Sequence, residues 1–111
     1  MLTVRNVPVV EPTPQGAWEL VFWMGEASDF SIAFRGLLDE ISRLMGEEPE
    51  QALMMPPYEE GEDFVEGLLR FGAHRVSIYY EYSLGYLALF NATRVPLDII
   101  AAKVRLAANL L

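Results

Sequence analysis

The stretch from Arg75 to Asn91 leaves this chain few ways to fold. It reads Arg-Val-Ser-Ile-Tyr-Tyr-Glu-Tyr-Ser-Leu-Gly-Tyr-Leu-Ala-Leu-Phe-Asn, with β-branched and aromatic residues on both sides of Ser83-Leu84-Gly85. Such side chains suit a pleated surface, and Gly85 supplies the positive φ that a three-residue hairpin loop requires. The pattern predicts two strands with Tyr82 opposite Tyr86, Tyr80 opposite Ala88 and Ile78 opposite Phe90. Alternation would put Val76, Ile78, Tyr80, Tyr82, Tyr86, Ala88 and Phe90 on one face. The other face would carry Ser77, Tyr79, Glu81, Leu87, Leu89 and Asn91. Both faces are substantially apolar, so the hairpin belongs inside a sheet rather than at its edge.

The remaining segments supply strands and helices around it. Leu2 to Val10 alternates loosely and predicts a strand near an edge, because Pro8 has no N–H for a ladder. Glu11 to Gly16 is a turn by composition, and Ala17 to Met24 is an aromatic-rich strand. The region after Gly25-Glu-Ala-Ser28 fits two patterns. Phe30, Ile32 and Phe34 alternate as in a strand. Phe30, Phe34, Leu37, Leu38, Ile41, Leu44 and Met45 also form a helical stripe. A glycine inside a helix costs about 1 kcal/mol, so Gly36 favours a strand over Asp29–Arg35 and a helix over Leu37–Met45. Asp39 and Arg43 would then pair on the exposed side, and Gly46 would stop the helix. Pro49 can open a short helical turn through Met55, with Pro56-Pro57 stopping it and a surface loop following. Phe64 to Phe71 predicts a strand that joins the hairpin through Gly72-Ala73-His74. A helix competes there, because Phe64, Leu68 and Phe71 share a helical face. Thr93 to Pro96 starts a last helix, with Leu97, Ile100, Ala101, Val104, Ala108 and Leu111 as its buried stripe.

These elements predict a single α+β domain over residues 1–111, with a mostly antiparallel sheet of about five or six strands and helices packed on one side. Apolar residues make up 52% of the chain and charged ones 22%, as in ordinary globular proteins. Apolar runs such as Leu20 to Met24 are too short to span a bilayer, and no apolar signal region precedes Pro8. A cytoplasmic setting is expected. The absence of cysteine excludes disulfides, thiolate metal sites and a cysteine nucleophile.

Charge is placed unevenly. Glu47, Glu48, Glu50, Glu59, Glu60, Glu62, Asp63 and Glu66 fall in one stretch with no Lys or Arg. Eight acids and eight bases share the rest of the chain, so the whole net charge of −8 resides between Glu47 and Glu66. A negative balance argues against direct nucleic-acid binding, which needs clustered Lys and Arg. Charge runs usually solubilise. This one also carries Leu53, Met54, Met55 and Tyr58, apolar groups that solubility does not need. Methionine adapts to binding surfaces and tyrosine anchors them, so the pattern suits docking on a basic protein.

Catalytic patterns are missing from the sequence. The acids lack the Asp-x-Asp-x-Asp-Gly order of a calcium loop, so no metal is expected. His74, the single histidine, has no acid or nucleophile beside it in sequence. The serines show no Gly-x-Ser-x-Gly elbow, and no phosphate-binding glycine loop is present. The cluster Tyr79, Tyr80, Tyr82 and Tyr86 reads as cross-strand packing, with an exposed part near Leu87 or Leu89 as a further interface candidate.

The acidic loop, followed by Glu62-Asp-Phe-Val-Glu-Gly-Leu-Leu-Arg-Phe-Gly72 and by Ile78-Tyr-Tyr-Glu-Tyr-Ser-Leu-Gly-Tyr-Leu87, resembles small bacterial immunity proteins of contact-dependent growth inhibition and related polymorphic-toxin systems. The likeness covers the C-terminal half and transfers no functional residue by position. It implies a cytoplasmic, non-enzymatic protein that binds and neutralises one cognate toxin domain, often a nuclease. On this reading a basic toxin would meet Glu47, Glu48, Glu50, Met54, Met55, Tyr58, Glu59, Glu60, Glu62 and Asp63, with no cofactor and no membrane. Two other classes stay open: a small enzyme or ligand-binding domain with a tyrosine-lined pocket, and a homo-oligomeric subunit paired through an edge strand.

Overall fold

The computed structural model describes residues 2–4, 8–24 and 33–110. Its centre is a six-stranded antiparallel sheet built from β2 (Val10–Pro12), β3 (Trp18–Trp23), β7 (Tyr86–Asn91), β6 (His74–Glu81), β5 (Phe64–Phe71) and β4 (Leu53–Met54), in that spatial order. Three helices, α1 (Phe34–Leu44), α2 (Pro49–Ala52) and α3 (Val95–Ala107), pack against it. A separate parallel pair joins β1 (Leu2–Val4) to β8 (Ala108–Leu110). The α+β fold with helices on one side of an antiparallel sheet is thus the fold that the sequence pattern predicts.

The central hairpin forms one residue out of the expected register. Glu81 faces Tyr86, Tyr80 faces Leu87 and Ile78 faces Leu89. The loop is four residues long, and the Gly85 N–H bonds to the Tyr82 carbonyl at 3.3 Å, with Gly85 at φ 60°. Tyr82 is drawn away from β7. Its N–H donates to the Asp63 carbonyl at 3.0 Å, and its ring meets Phe34 edge-on at 5.6 Å. A one-residue slip exchanges the faces of one strand against the other. Leu87 and Leu89 therefore enter the core beside Ile78 and Tyr80, while Tyr86 and Phe90 turn outward with Tyr79 and Glu81.

Phe34 and Arg35 are helical, which corrects the strand expected over Asp29–Arg35; its residues 29–32 lie outside the described ones. Phe34, Leu37, Leu38 and Ile41 are all buried on one face of α1. Each buried side chain contributes roughly 1.5–3 kcal/mol, so together they outweigh the cost of Gly36 in the helix. Phe34 stacks flat on Tyr80 at 3.8 Å between centroids. Gly46, at φ 79°, closes α1. Its N–H bonds to the Arg43 carbonyl at 2.9 Å, and the Glu47 N–H bonds to the Ser42 carbonyl at 3.0 Å, a Schellman arrangement. Arg43 pairs with Glu40 at 2.9 Å rather than with Asp39.

Other boundaries also move. The single strand expected over Leu2–Val10 divides into β1 and β2, which belong to different sheets. The helical turn from Pro49 stops at Ala52, because Leu53 and Met54 pair with Leu69 and Leu68. The last helix ends at Ala107 with Pro96, Leu97, Ile100, Ala101 and Val104 buried; of the expected stripe, Ala108 belongs to β8 and Leu111 lies outside the described residues. His74 opens β6, with its ring 5.2 Å from Phe71, rather than lying in a turn. Among the described residues no helix is long and apolar enough to cross a membrane.

Candidate protein-binding face

With α1 and α3 on one side, no helix among the described residues covers the other side of the sheet. Register fixes what it displays. The row nearest the β6–β7 loop runs Trp23, Tyr86, Glu81, Phe64 across β3, β7, β6 and β5. The next runs Val21, Ala88, Tyr79, Glu66. Beyond it stand Glu19, Phe90, Ser77, Leu68 and Met54, and Arg75 faces Arg70 at the far end.

Four rings form a continuous band over the first two rows. Trp23 meets Tyr86 at 4.9 Å, Tyr86 meets Tyr79 at 6.4 Å, and Tyr79 meets Phe64 at 5.9 Å. Trp23 is 43% exposed and Phe64 53%, values far from those of core aromatics. Carboxylates hold the two phenols in place. The Tyr86 hydroxyl donates to Glu19 at 3.1 Å, and the Tyr79 hydroxyl donates to Glu81 at 3.1 Å. Loss of solvent around Tyr86, with the Glu19 charge behind it, pushes its phenol up to about 12. Tyr79 is raised for the same two kinds of reason, desolvation first and the Glu81 carboxylate second. The result is a band of aromatic faces interleaved with Glu19, Glu66 and Glu81. Guanidinium and ammonium groups are attracted both to ring faces and to carboxylates, whereas phosphates are repelled by the acids.

The ten residues singled out from the acidic stretch do not all lie on one surface. Tyr58, Glu59, Glu60 and Asp63 are exposed on the loop leading into β5. Met54 shares the open sheet face and is exposed, but Met55, the next residue, packs on the core side. Glu48 and Glu50 line a cleft of about 510 Å³ together with Arg35, Leu38, Arg43 and Leu53, and no tyrosine lines it. Glu47, half-buried, reaches the β5–β6 turn at the surface and accepts from the Gly72 N–H at 3.3 Å.

Glu62 has structural partners on three sides. It accepts from the Tyr82 hydroxyl and, at 2.9 Å, from the Glu59 N–H, and Arg35 Nη2 lies 3.8 Å away. The Tyr82 hydrogen bond, chiefly, holds the Glu62 carboxyl below its ordinary value. Desolvation and then Glu62 push the Tyr82 phenol up to about 12. Arg35 Nη1 completes the junction with a 2.9 Å bond to the Pro56 carbonyl. Arg35 Nε and Nη2 are buried without a hydrogen-bond partner among the described residues; the nearby Glu62 carboxylate compensates the charge across a gap longer than a hydrogen bond.

Trp23, Phe64, Tyr86, Glu19, Glu66 and Glu81 were not singled out together from the sequence. Their common face depends on the hairpin register, and the register expected from the sequence places Tyr86 on the face of Ile78 and Tyr80. Leu87 and Leu89, expected near an interface, are fully buried. No protein-family model, curated protein or solved structure matches this chain.

Proposed function

We propose that this chain is a non-enzymatic binding protein that docks on a basic protein and neutralises it, as an immunity protein neutralises its cognate toxin. The observation that carries the reading is the uncovered band Trp23–Tyr86–Tyr79–Phe64 with Glu19, Glu66 and Glu81 set among its rings. Aromatic anchors supply contact area at small entropic cost, and the acids select a positive partner and speed encounter. The exposed acids Glu59, Glu60 and Asp63 extend the same negative field beyond the sheet. A nuclease would fit such a partner, since its substrate-binding surface must itself be basic. The Phe34–Tyr80 stack and the Tyr82–Glu62 bond engage the other two tyrosines of the cluster inside the fold, which leaves the tyrosine-lined pocket without support.

The test starts with affinity capture from the source cell using the intact chain and a Trp23→Ala, Phe64→Ala variant. One basic protein should be retained by the former and lost by the latter. The purified partner should then lose its own activity on stoichiometric addition of this chain. Equal retention by the variant, or full partner activity in the complex, would refute the proposal.

A further inference from the structure

On the open face, β5 and β6 carry rings and carboxylates in a chequer. Register sets Phe64 opposite Glu81 and Glu66 opposite Tyr79. The two rings occupy one diagonal, stacked at 5.9 Å with 29° between their planes, and the two acids occupy the other. Phe64 and Glu66 are exposed, and Tyr79 and Glu81 are half-buried. One Glu81 oxygen accepts from the Tyr79 hydroxyl at 3.1 Å, which fixes the ring. The ion pairs among the described residues use neither Glu66 nor Glu81. The bases of the same two strands, Arg70 and Arg75, stand two rows further on, beyond Leu68 and Ser77.

Elsewhere the chain shows what a ring beside a carboxylate holds. Arg94 lies over the Trp18 ring at 5.0 Å while its Nε donates to Asp98 at 3.1 Å. Arg35 lies over the Phe34 ring at 5.4 Å, with Glu62 3.8 Å from its Nη2. In both places one guanidinium meets a ring and a carboxylate at once. The chequer on β5 and β6 presents the same two kinds of group outward.

We propose that this chequer takes an arginine side chain of the partner, its guanidinium flat on the Tyr79 ring and its N–H groups on Glu66 and Glu81. The inference rests on the basic-partner reading and names the side chain that this part of the face selects. A guanidinium is planar, weakly hydrated and able to stack on a ring while its fork of donors reaches carboxylates at its edge. The acids stand on either side of the ring diagonal, where such a fork can meet them. A lysine ammonium radiates its donors from one point and holds its water more tightly, so it gains less from ring and acids together. The Tyr79–Glu81 bond orders the ring before any contact, which lowers the entropic cost of binding. Arg70 and Arg75 repel a cation from the far end of the strands and confine the attraction to the end near Phe64.

Hexa-arginine and hexa-lysine, equal in charge, are the probes. Each is titrated into the intact chain at one salt concentration and followed by NMR shifts of amides and aromatic rings. Hexa-arginine should bind about tenfold more tightly than hexa-lysine. Its largest shifts should fall at Phe64, Glu66 and Tyr79. Glu66→Gln combined with Glu81→Gln, and separately Tyr79→Leu, should each bring the two affinities together. Glu59→Gln combined with Glu60→Gln should weaken both peptides alike and preserve their ratio, because those exposed acids stand on the loop leading into β5. Equal affinities in the intact chain would overturn the inference alone and leave a basic partner recognised by charge. An arginine preference that survives both the paired Gln variant and Tyr79→Leu would also overturn it, as would shifts centred away from β5 and β6. Binding of neither peptide would defeat the basic-partner reading along with it.

Discussion

Met55 lies over Gly67 so closely that its sulfur occupies the space of any Cβ there, and the Met54 carbonyl oxygen would sit only 2.7 Å from that atom. The glycine lets β4 and the chain after it close over β5. Gly67→Ala should destabilise the fold by about 1–3 kcal/mol, as overpacking does. Adding Met55→Ala should restore only part of the loss, because the Met54 backbone still stands in the way. Denaturant unfolding of the single and double variants checks this; full restoration would show that the side chain alone sets the constraint.

Register makes opposite forecasts for two residues of the same hairpin. Ile78 is 1% exposed at the centre of the core, and Ile78→Ala should cost about 2–5 kcal/mol. Phe90 stands on the open face, and Phe90→Ala should cost only about 0.2–1 kcal/mol, the scale of a cross-strand pair. Thermal melts followed by circular dichroism separate the two. Comparable losses would return Phe90 to the core.

The Tyr82–Glu62 bond ties stability to pH at both extremes. The carboxyl is lowered in the folded chain, so its contribution is present above the unfolded value and disappears as pH falls through the folded one. The phenol is raised from 10.0 to about 12, so its contribution is complete below 10.0 and disappears as pH rises towards about 12. Tyr82→Phe should flatten both limbs of a stability–pH profile measured by chemical denaturation. An unchanged profile would mean that the bond does not persist in solution.

The open face and the acidic loop should leave different kinetic traces in partner binding. Reversing Glu59, Glu60 and Asp63 to Lys should slow association and weaken its salt dependence, since peripheral charges act through encounter. Trp23→Ala should mainly speed dissociation, as loss of a buried anchor does. Surface plasmon resonance at several salt concentrations with the captured partner resolves the two rates. Unchanged dissociation for Trp23→Ala would remove the aromatic band from the interface.

Much of the architecture was legible because it rests on alternation and turn chemistry. The strands over Trp18–Trp23 and Phe64–Phe71, the stop at Gly46 and the last helix with Asp98 in its first turn follow from local pattern. The hairpin register did not, because Gly85 fits a three- or a four-residue loop equally well. What decides between them is the pull of Phe34, Glu62 and the Asp63 carbonyl on Tyr82, three contacts distant in sequence. The same long-range packing onto Tyr80 made Phe34 helical despite Gly36. The candidate face was hidden for that reason alone. Its residues were visible one by one, but only the register aligns Trp23, Tyr86, Glu81 and Phe64 in one row. The loop acids were easy to see and harder to interpret, since nothing local shows that Glu47 and Glu62 bond to Gly72 and Tyr82, distant in sequence.

A sheet with an aromatic-rich face that no described helix covers would ordinarily be a seed for fibrils, and the two outermost strands bear on that hazard. One edge, β2, has three residues and lies between Pro8 and its own Pro12, neither of which can donate a ladder hydrogen bond. The other, β4, has two residues and ends just before Pro56-Pro57. Neither offers an incoming strand a long template, and the loop beside β4 adds the charges of Glu59, Glu60 and Asp63. The brevity of these strands confines stickiness to the flat of the sheet, where recognition is by side chains, and withholds it from the rim, where backbone pairing would recruit copies without limit.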